Sequence, residues 1–395
     1  LSWLGIYGHD EIALRFARAN QRGRLGGSFL FIGPSGVGKR SFAFALAKTL
    51  LCENHVLKAR NNSDPSLTTE HSQDFSDAVD DTALLESFVP CRKCASCRTF
   101  DLHQESDKVI LPIHPDFHYL CKPEEKSFLP LELLVGDKEN RMRSGLCYEL
   151  AKTPYFGGRK IAVIDDADFF NPEGANSLLK TLEEPPSRSI IILIGTSTAK
   201  QLPTIRSRCQ IIRFRQLSAD HLMSILLKHK KTATEQEAKI LAENADGSLT
   251  EAQELINTAF EEFRPVLLKE LVKRRIPAID LARLLNAFID EAGKEASRRR
   301  KQLQTVFQMI LKFYRELILL IETRSDESLF HQTCTEVTSH HHEFHQMVLA
   351  LPAIDVMILV RRIERTFDAL NQIDRNVNIP YIIESWATDL ARLVY

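Results

Sequence analysis

The chain has 395 residues, 44% of them apolar, with 51 basic against 52 acidic side chains and a formal net charge of −1. That length and apolar fraction support a large core and predict two or three domains. The charge balance leaves no global field, so any contact with nucleic acid has to come from local patches.

No apolar run approaches the roughly 20 residues of a membrane span, and Leu1 to Phe16 carries neither the basic nor the apolar region of a signal peptide. Three of the eight Cys fall within seven residues, which fits a metal site in a reducing compartment better than a disulfide framework. The expectation is a soluble cytoplasmic protein. No internal repeat is visible.

From residue 1 to about 215, short apolar strands alternate with amphipathic helices, the pattern of an α/β domain with a parallel sheet. The strand Phe29–Ile32 runs into Gly33-Pro34-Ser35-Gly36-Val37-Gly38-Lys39-Arg40. This is a phosphate-cradling loop: its glycines let backbone N–H groups turn inward, Lys39 serves the terminal phosphates, and a helix N-terminus follows. One position departs from the pattern. Arg40 stands where a hydroxyl would hold Mg²⁺, and Ser41, one step further round a helix, points about 100° away. Gly33, Gly36, Gly38, Lys39, Arg40 and Ser41 are the candidate nucleotide-binding residues. The loop is expected to hold phosphate; whether ATP and Mg²⁺ bind is open.

Residues 53–90 differ in texture, with eight acidic and two basic side chains and little periodicity. They read as a disordered surface insertion in which Ala83 to Phe88 is able to form a helical turn. Cys91-x-x-Cys94-x-x-Cys97 follows, a tight thiolate cluster that lacks one ligand for tetrahedral zinc. Cys52, His55, His103 and Cys121 are the available fourth ligands, and a closed set of this kind is structural.

Lys160–Ile164 and Ser189–Ile194 are strands apolar on both faces, as a covered central sheet requires, and Gln210–Phe214 is another strand. The first of them ends in Asp165-Asp166-Ala167-Asp168, carboxylates placed at the sheet edge where Mg²⁺ and an attacking water would sit. Asp166 is one methylene shorter than the Glu usual in active ATPases of this kind and polarises water poorly. From Leu217 the texture turns helical. Ser248 and Glu251 form a capping box after the Asp246-Gly247 turn, and Ile383, Trp386, Leu390 and Leu393 mark one face of the last helix.

The order of P-loop, acidic strand, Leu178-Leu179-Lys180-Thr181-Leu182-Glu183-Glu184-Pro185-Pro186 and Ser207-Arg208-Cys209 resembles the clamp-loader branch of the AAA+ ATPases. The likeness continues in Trp3–Gly8, His114-Pro115-Asp116 and, weakly, Asp374–Pro380. It implies an AAA+ P-loop domain with a zinc-binding insertion (1–215, the zinc module at about 52–105), a helical lid (216–260) and an all-α C-terminal collar (261–395). It also implies that Arg208 is an arginine finger for a neighbouring subunit's ATP, that Thr196 sits at the sensor-1 position, and that Cys52 completes a zinc site with Cys91, Cys94 and Cys97. The family spacing after the first cysteine is shorter, but closing a longer loop adds only roughly 1 kcal/mol.

Within that branch the motor subunits carry a Thr after the P-loop Lys, an Asp-Glu pair and a lid Arg. Here those positions are Arg40, Asp166 and Thr250, and all three departures weaken hydrolysis. The resemblance therefore implies a non-motor subunit, working with motor (gamma/tau) and delta subunits on the sliding β-clamp and primed DNA. Its intrinsic ATPase is expected to be weak or absent. The rival reading is a motor-type ATPase, for which Gly33, Gly38 and Lys39 argue; a stand-alone AAA+ remodeller finds no lid Arg or DNA-binding appendage to support it. The tract His340–His345 and the basic runs Lys228–Lys231, Lys273–Arg275 and Arg298–Lys301 read as solvated faces. Cys209 reads as core packing, and Cys147 and Cys334 as isolated thiols.

Overall fold

The computed structural model describes residues 2–55, 80–105, 110–123, 126, 128–141, 143–156, 158–229, 234–255, 258–273, 275–293, 295–323, 355–375 and 377–393. They fall into two compact units, Leu1–Gln253 and Glu254–Tyr395.

The first unit opens with α1 (Asp10–Gln21), β1 (Gly27–Ile32), α2 (Lys39–Leu51), α3 (Asp81–Ser87), α4 (Ala95–Phe100), β2 (His103–Glu105), β3 (Ile110–Pro112) and β4 (Phe117–Leu120). It continues through α5 (Leu131–Val135), α6 (Leu146–Ala151), β5 (Lys160–Ile164), α7 (Pro172–Glu183), β6 (Ser189–Gly195), α8 (Pro203–Arg206) and β7 (Gln210–Arg213). Three helices follow: α9 (Ala219–Lys228), α10 (Glu235–Asn244) and α11 (Leu249–Leu255).

Five strands form one parallel sheet in the order β4-β5-β6-β1-β7. Because successive strand residues point to opposite faces, one strand feeds two cores. Phe29 and Phe31 of β1 join Val163, Ile192 and Phe42 on one face, while Leu30 and Ile32 join Ala162, Leu193 and Leu178 on the other. This is why β5 and β6 are buried at every residue and read as unbroken apolar runs. The carboxyl ends of β1, β5 and β6 consequently lie side by side, and the loops that leave them form the crevice where open parallel sheets bind ligands.

Residues 56–79 of the acidic insertion lie outside the described residues, but its end does not behave as a disordered segment. Asp80 caps α3 by accepting from Thr82 N at 3.0 Å. Leu84 and Phe88 are buried, Phe88 stacks on Trp3 at 5.7 Å, and the Trp3 indole donates to Phe88 O at 2.7 Å. The described end of this acidic stretch thus carries two apolar anchors at helical spacing.

The second unit is helical: α12 (Thr258–Leu271), α13 (Ala278–Asp290), α14 (Ala296–Thr323), α15 (Val356–Asp374) and α16 (Ile379–Arg392). Leu285, Phe307, Tyr314, Leu359, Ile383, Trp386 and Leu390 belong to one core. Leu393 follows α16 and gives its carbonyl to the fully buried Arg362, which also donates to Leu271 O. Among the described residues no helix is long and apolar enough to cross a membrane.

Candidate nucleotide pocket and cysteine cluster

The loop between β1 and α2 is held from three sides. A Cβ on Gly33 would stand 2.4 Å from Phe214 O, so only glycine lets β7's continuation pass this close. Gly36 has φ +74°, and a Cβ there would meet Ser248 Oγ at 2.4 Å and Thr250 N at 2.6 Å. Its carbonyl accepts from Leu249 N at 3.1 Å, so α11 begins directly on the loop and Thr250 faces it. From the N-terminal side His9, buried beside Phe214, meets Val37 O through Nε2 at 2.7 Å. Burial lowers the His9 pKa, keeping the ring neutral with its proton on that nitrogen.

Gly38 is the N-cap of α2, and Lys39, its first residue, is buried. Its ammonium donates back to Gly33 O at 2.6 Å and to Pro34 O. Burial brings its pKa down to about 8, against the pull of Asp165 and Asp168. Arg40 turns the other way: Nε donates to Asp165 Oδ2 at 2.5 Å, and the guanidinium lies 6.0 Å from the Tyr119 ring centre. Tyr119 OH reaches the same oxygen at 3.2 Å, and Asp166 N donates to Asp165 Oδ1 at 3.0 Å. Asp165 thus already accepts from three donors. Ser41 is exposed. Asp166 adopts a left-handed conformation (φ +57°), and burial, then the Asp165 charge, pushes its carboxyl pKa up.

At the end of β6, Thr196 is fastened to Asp168: its N–H and hydroxyl donate to Asp168 Oδ2 at 2.9 and 2.6 Å, and Gln201 donates to the other oxygen. The pocket therefore joins Lys39, Arg40, Asp165, Asp166, Asp168 and Thr196, all in motifs read from the sequence, with His9, Tyr119 and Gln201, which were not. Tyr119 carried no motif. Asp168 stood in one, as the last acid of the strand end, without an assigned partner.

Mg²⁺ is the ion that a glycine loop facing an acidic strand end would hold. The metal would need a small hydroxyl beside a carboxylate with a free oxygen, whereas Arg40 places a cation on that carboxylate. The residues do not fit a divalent ion as they stand.

Arg208 lies apart from these groups. Its Nε donates to Glu183 Oε2 at 3.0 Å, and Nη1 reaches Thr204 O and Ser207 Oγ at 3.3 and 3.2 Å. The guanidinium is thus braced against α7 and α8 while 30% of the side chain stays exposed. Cys209 is buried, and burial pushes its thiol up to about 12.

The sulfurs of Cys52, Cys91, Cys94 and Cys97 all lie within 4.8 Å of one another. Cys52 ends α2, Arg92 turns left-handed (φ +59°), and Cys94 caps α4. Backbone amides donate to three sulfurs: Cys91 N to Cys52, Lys93 N and Cys94 N to Cys91, Cys97 N to Cys94, at 3.4 to 3.5 Å. The Lys93 amide foremost lowers Cys91 to about 6, whereas burial raises Cys52 and Cys97. Four convergent thiols, that of Cys91 held below its usual range by backbone amides, fit a tetrahedral thiolate metal. Of the other fourth-ligand candidates, His55 is turned to Val89 O at 2.8 Å.

The module is tied to the sheet by His114-Pro115-Asp116. The Asp116 amide donates to His114 Nδ1 at 3.0 Å, so Nε2 carries the proton to Ser96 Oγ, which in turn donates to Leu51 O. The buried Asp116 carboxylate accepts from Tyr155 N and Phe156 N at 2.7 and 3.0 Å. Elsewhere, Lys273 pairs with Glu270, Arg298 with Glu295 and Arg299 with Asp290. Cys334 and His340–His345 lie outside the described residues.

A family model described as DNA polymerase III, delta subunit, matches residues 65–218. DNA polymerase III subunit delta' of Bacillus subtilis (strain 168) is 24% identical over 367 residues, 92% of this chain and 90% of that one. Subunit delta' of Pseudomonas aeruginosa is 25% identical over 263 residues, 66% of each chain. Subunit tau of Escherichia coli (strain K12) is 27% identical over 259 residues, 64% of this chain and 32% of tau. A gamma subunit-related protein of Thermotoga maritima, solved by crystallography, is 15% identical with a TM-score of 0.40, covering 98% of this chain and 100% of its own.

Proposed function

We propose, for a chain that belongs to the DNA polymerase III clamp-loader family, that it is a subunit of the delta prime type. In this reading it is a cytoplasmic, non-motor stator that assembles with motor gamma/tau and delta subunits. Through them it helps place the sliding β-clamp on primed DNA. Arg208 is its catalytic contribution, offered to the ATP of a neighbouring motor, where a guanidinium stabilises charge on the transferring phosphoryl group. Residues 1–215, 216–260 and 261–395 serve as P-loop domain, lid and collar. The four cysteines hold a structural zinc ion.

The observation that carries this reading is the Arg40–Asp165 pair at 2.5 Å. Hydrolysis of this class needs a metal between the P-loop hydroxyl and the strand-end carboxylate, and a second acid to polarise water. Here one position holds a cation and the other the shorter Asp166. The match to a delta' subunit over 92% of this chain supports the same choice. A motor-type ATPase is the second reading, favoured by the intact Gly33, Gly38 and Lys39. Steady-state ATP turnover by the isolated chain separates the two. The stator reading expects no turnover above background; turnover by the chain alone would overturn it.

A further inference from the structure

The lack of fit to Mg²⁺ has a chemical counterpart in what Arg40 offers. Its Nε is spent on Asp165, while its two terminal NH₂ groups donate to no described residue and 44% of the side chain is exposed. It occupies the first turn of α2, one residue beyond Lys39, so both cations stand at the helix N-terminus that follows the glycine loop. Tyr119 OH and Asp166 N share the work of holding Asp165, so the carboxylate that positions the guanidinium is itself fixed. A guanidinium held by one edge keeps a planar fork that matches two phosphate oxygens.

We infer that Arg40 takes the place of the divalent cation in this pocket, so that a nucleoside triphosphate is bound without magnesium, its terminal phosphates shared between Lys39 and Arg40. The inference rests on the reading of the glycine loop as a nucleotide site. Binding requires Lys39 to exchange the carbonyls of Gly33 and Pro34 for phosphate oxygens, a rotation of one side chain. Mg²⁺ gains nothing, because reaching Asp165 would mean displacing a cation already there or sitting beside it. No bond is made or broken: the nucleotide is a bound ligand and leaves as it came.

The test is calorimetric titration of the full chain with ATP, once in excess EDTA and once in Mg²⁺. The dissociation constants should agree within about twofold. Arg40→Thr restores the hydroxyl; in EDTA it should bind ATP about tenfold or more weakly than the parent, with Mg²⁺ recovering the loss. Arg40→Lys keeps the charge without the fork and should fall between the two in EDTA. Arg40→Thr leaves the buried Asp165 carboxylate without its cation and should melt below the parent, so binding is compared at a temperature where all three chains are folded, and the parent titration stands without any variant. A parent that binds ATP only with Mg²⁺, or an Arg40→Thr chain that binds as tightly as the parent in EDTA, overturns the role of Arg40 and leaves the nucleotide site standing. Absence of ATP binding by parent and Arg40→Thr alike, with and without Mg²⁺, overturns the nucleotide site itself.

Discussion

The nucleotide pocket and the cysteine cluster sit at opposite ends of the same helix, α2, and have met opposite kinds of change. In the pocket the side chain next to Lys39 is a cation where a motor subunit has a hydroxyl, and the groups around it are rearranged: Arg40 caps Asp165, and Lys39 folds back on its own loop. In the cluster Cys52 and Cys91 stand 39 positions apart in sequence, and the four sulfurs still converge within 4.8 Å. The difference follows from how the two energies scale. A charge 3 Å from a carboxylate acts through a steep distance law in a poorly screened crevice. Loop length enters only as a logarithm, about 1 kcal/mol here. Function at such sites is therefore read from the residue beside the ligand, and hardly at all from the length of chain that brings ligands together.

The strongest way to break this comparison is to remove the metal. If the insertion adds length only, the parent should carry about one zinc per chain, and deleting Asn61 to Glu86 should leave that content unchanged while costing the anchor that Leu84 provides. Cys97→Ser should lose the zinc and lower the melting temperature by about 10 °C, and a strong chelator should do the same to the parent. Metal analysis and melting report both. Zinc-free parent protein would leave the convergence of sulfurs without a ligand to explain it.

A smaller effect is expected where the module meets the sheet. Asp116→Ala strips two buried amides, Tyr155 N and Phe156 N, of their acceptor and should destabilise the first unit by about 3 kcal/mol. Asp116→Asn keeps one acceptor oxygen and should cost roughly half of that. Urea unfolding measures both. Equal stability for the alanine variant would mean the loop before β5 does not depend on this carboxylate.

The same motif gives the module an acid sensitivity. Burial drops the His114 pKa from 6.5 to about 4, so the folded state binds fewer protons than the unfolded chain across that window. Its contribution to stability is whole above about pH 6.5 and is lost as pH falls toward about 4. The parent should lose stability between pH 7 and pH 5 more steeply than His114→Gln, which has no proton to take up. Parallel slopes would assign the acid response to other groups.

Much of this was legible in the sequence, and the part that was not has a common cause. β1, β5 and β6 announce themselves because burial on both faces removes polar residues from the strand. The glycine loop and the Cys-x-x-Cys-x-x-Cys run are legible because their chemistry is set by neighbours in sequence. What escaped depends on partners far along the chain: Arg40 and Asp165 are 125 residues apart, Tyr119 and Asp165 46, Asp168 and Thr196 28. The sequence marked Arg40 as a missing hydroxyl; only the fold gives it a carboxylate. At α3 the sequence offered a helical turn over Ala83 to Phe88; what it did not offer is the distant partner, Trp3, that Phe88 stacks on.

The smallest change to this chain itself is expected at Arg208, and it sharpens the comparison from the side of the partner. If the pocket does not hydrolyse what it binds, the catalytic value of this subunit lies in what it presents to a neighbour. Arg208→Ala removes an exposed pair with Glu183, worth under about 1 kcal/mol, so fold and assembly should persist. ATP turnover of the reconstituted loader, stimulated by clamp and DNA, should nevertheless fall by the loss of one site rather than all. Arg208→Lys should rescue poorly, because a point charge on a flexible stem does not reproduce a planar fork on phosphate. Glu183→Gln sharpens the reading further: with the brace weakened and the guanidinium kept, turnover should fall less than with Arg208→Ala. Full turnover with alanine at position 208 would mean that no finger is offered in trans, and this chain would then act in the loader only as a wall.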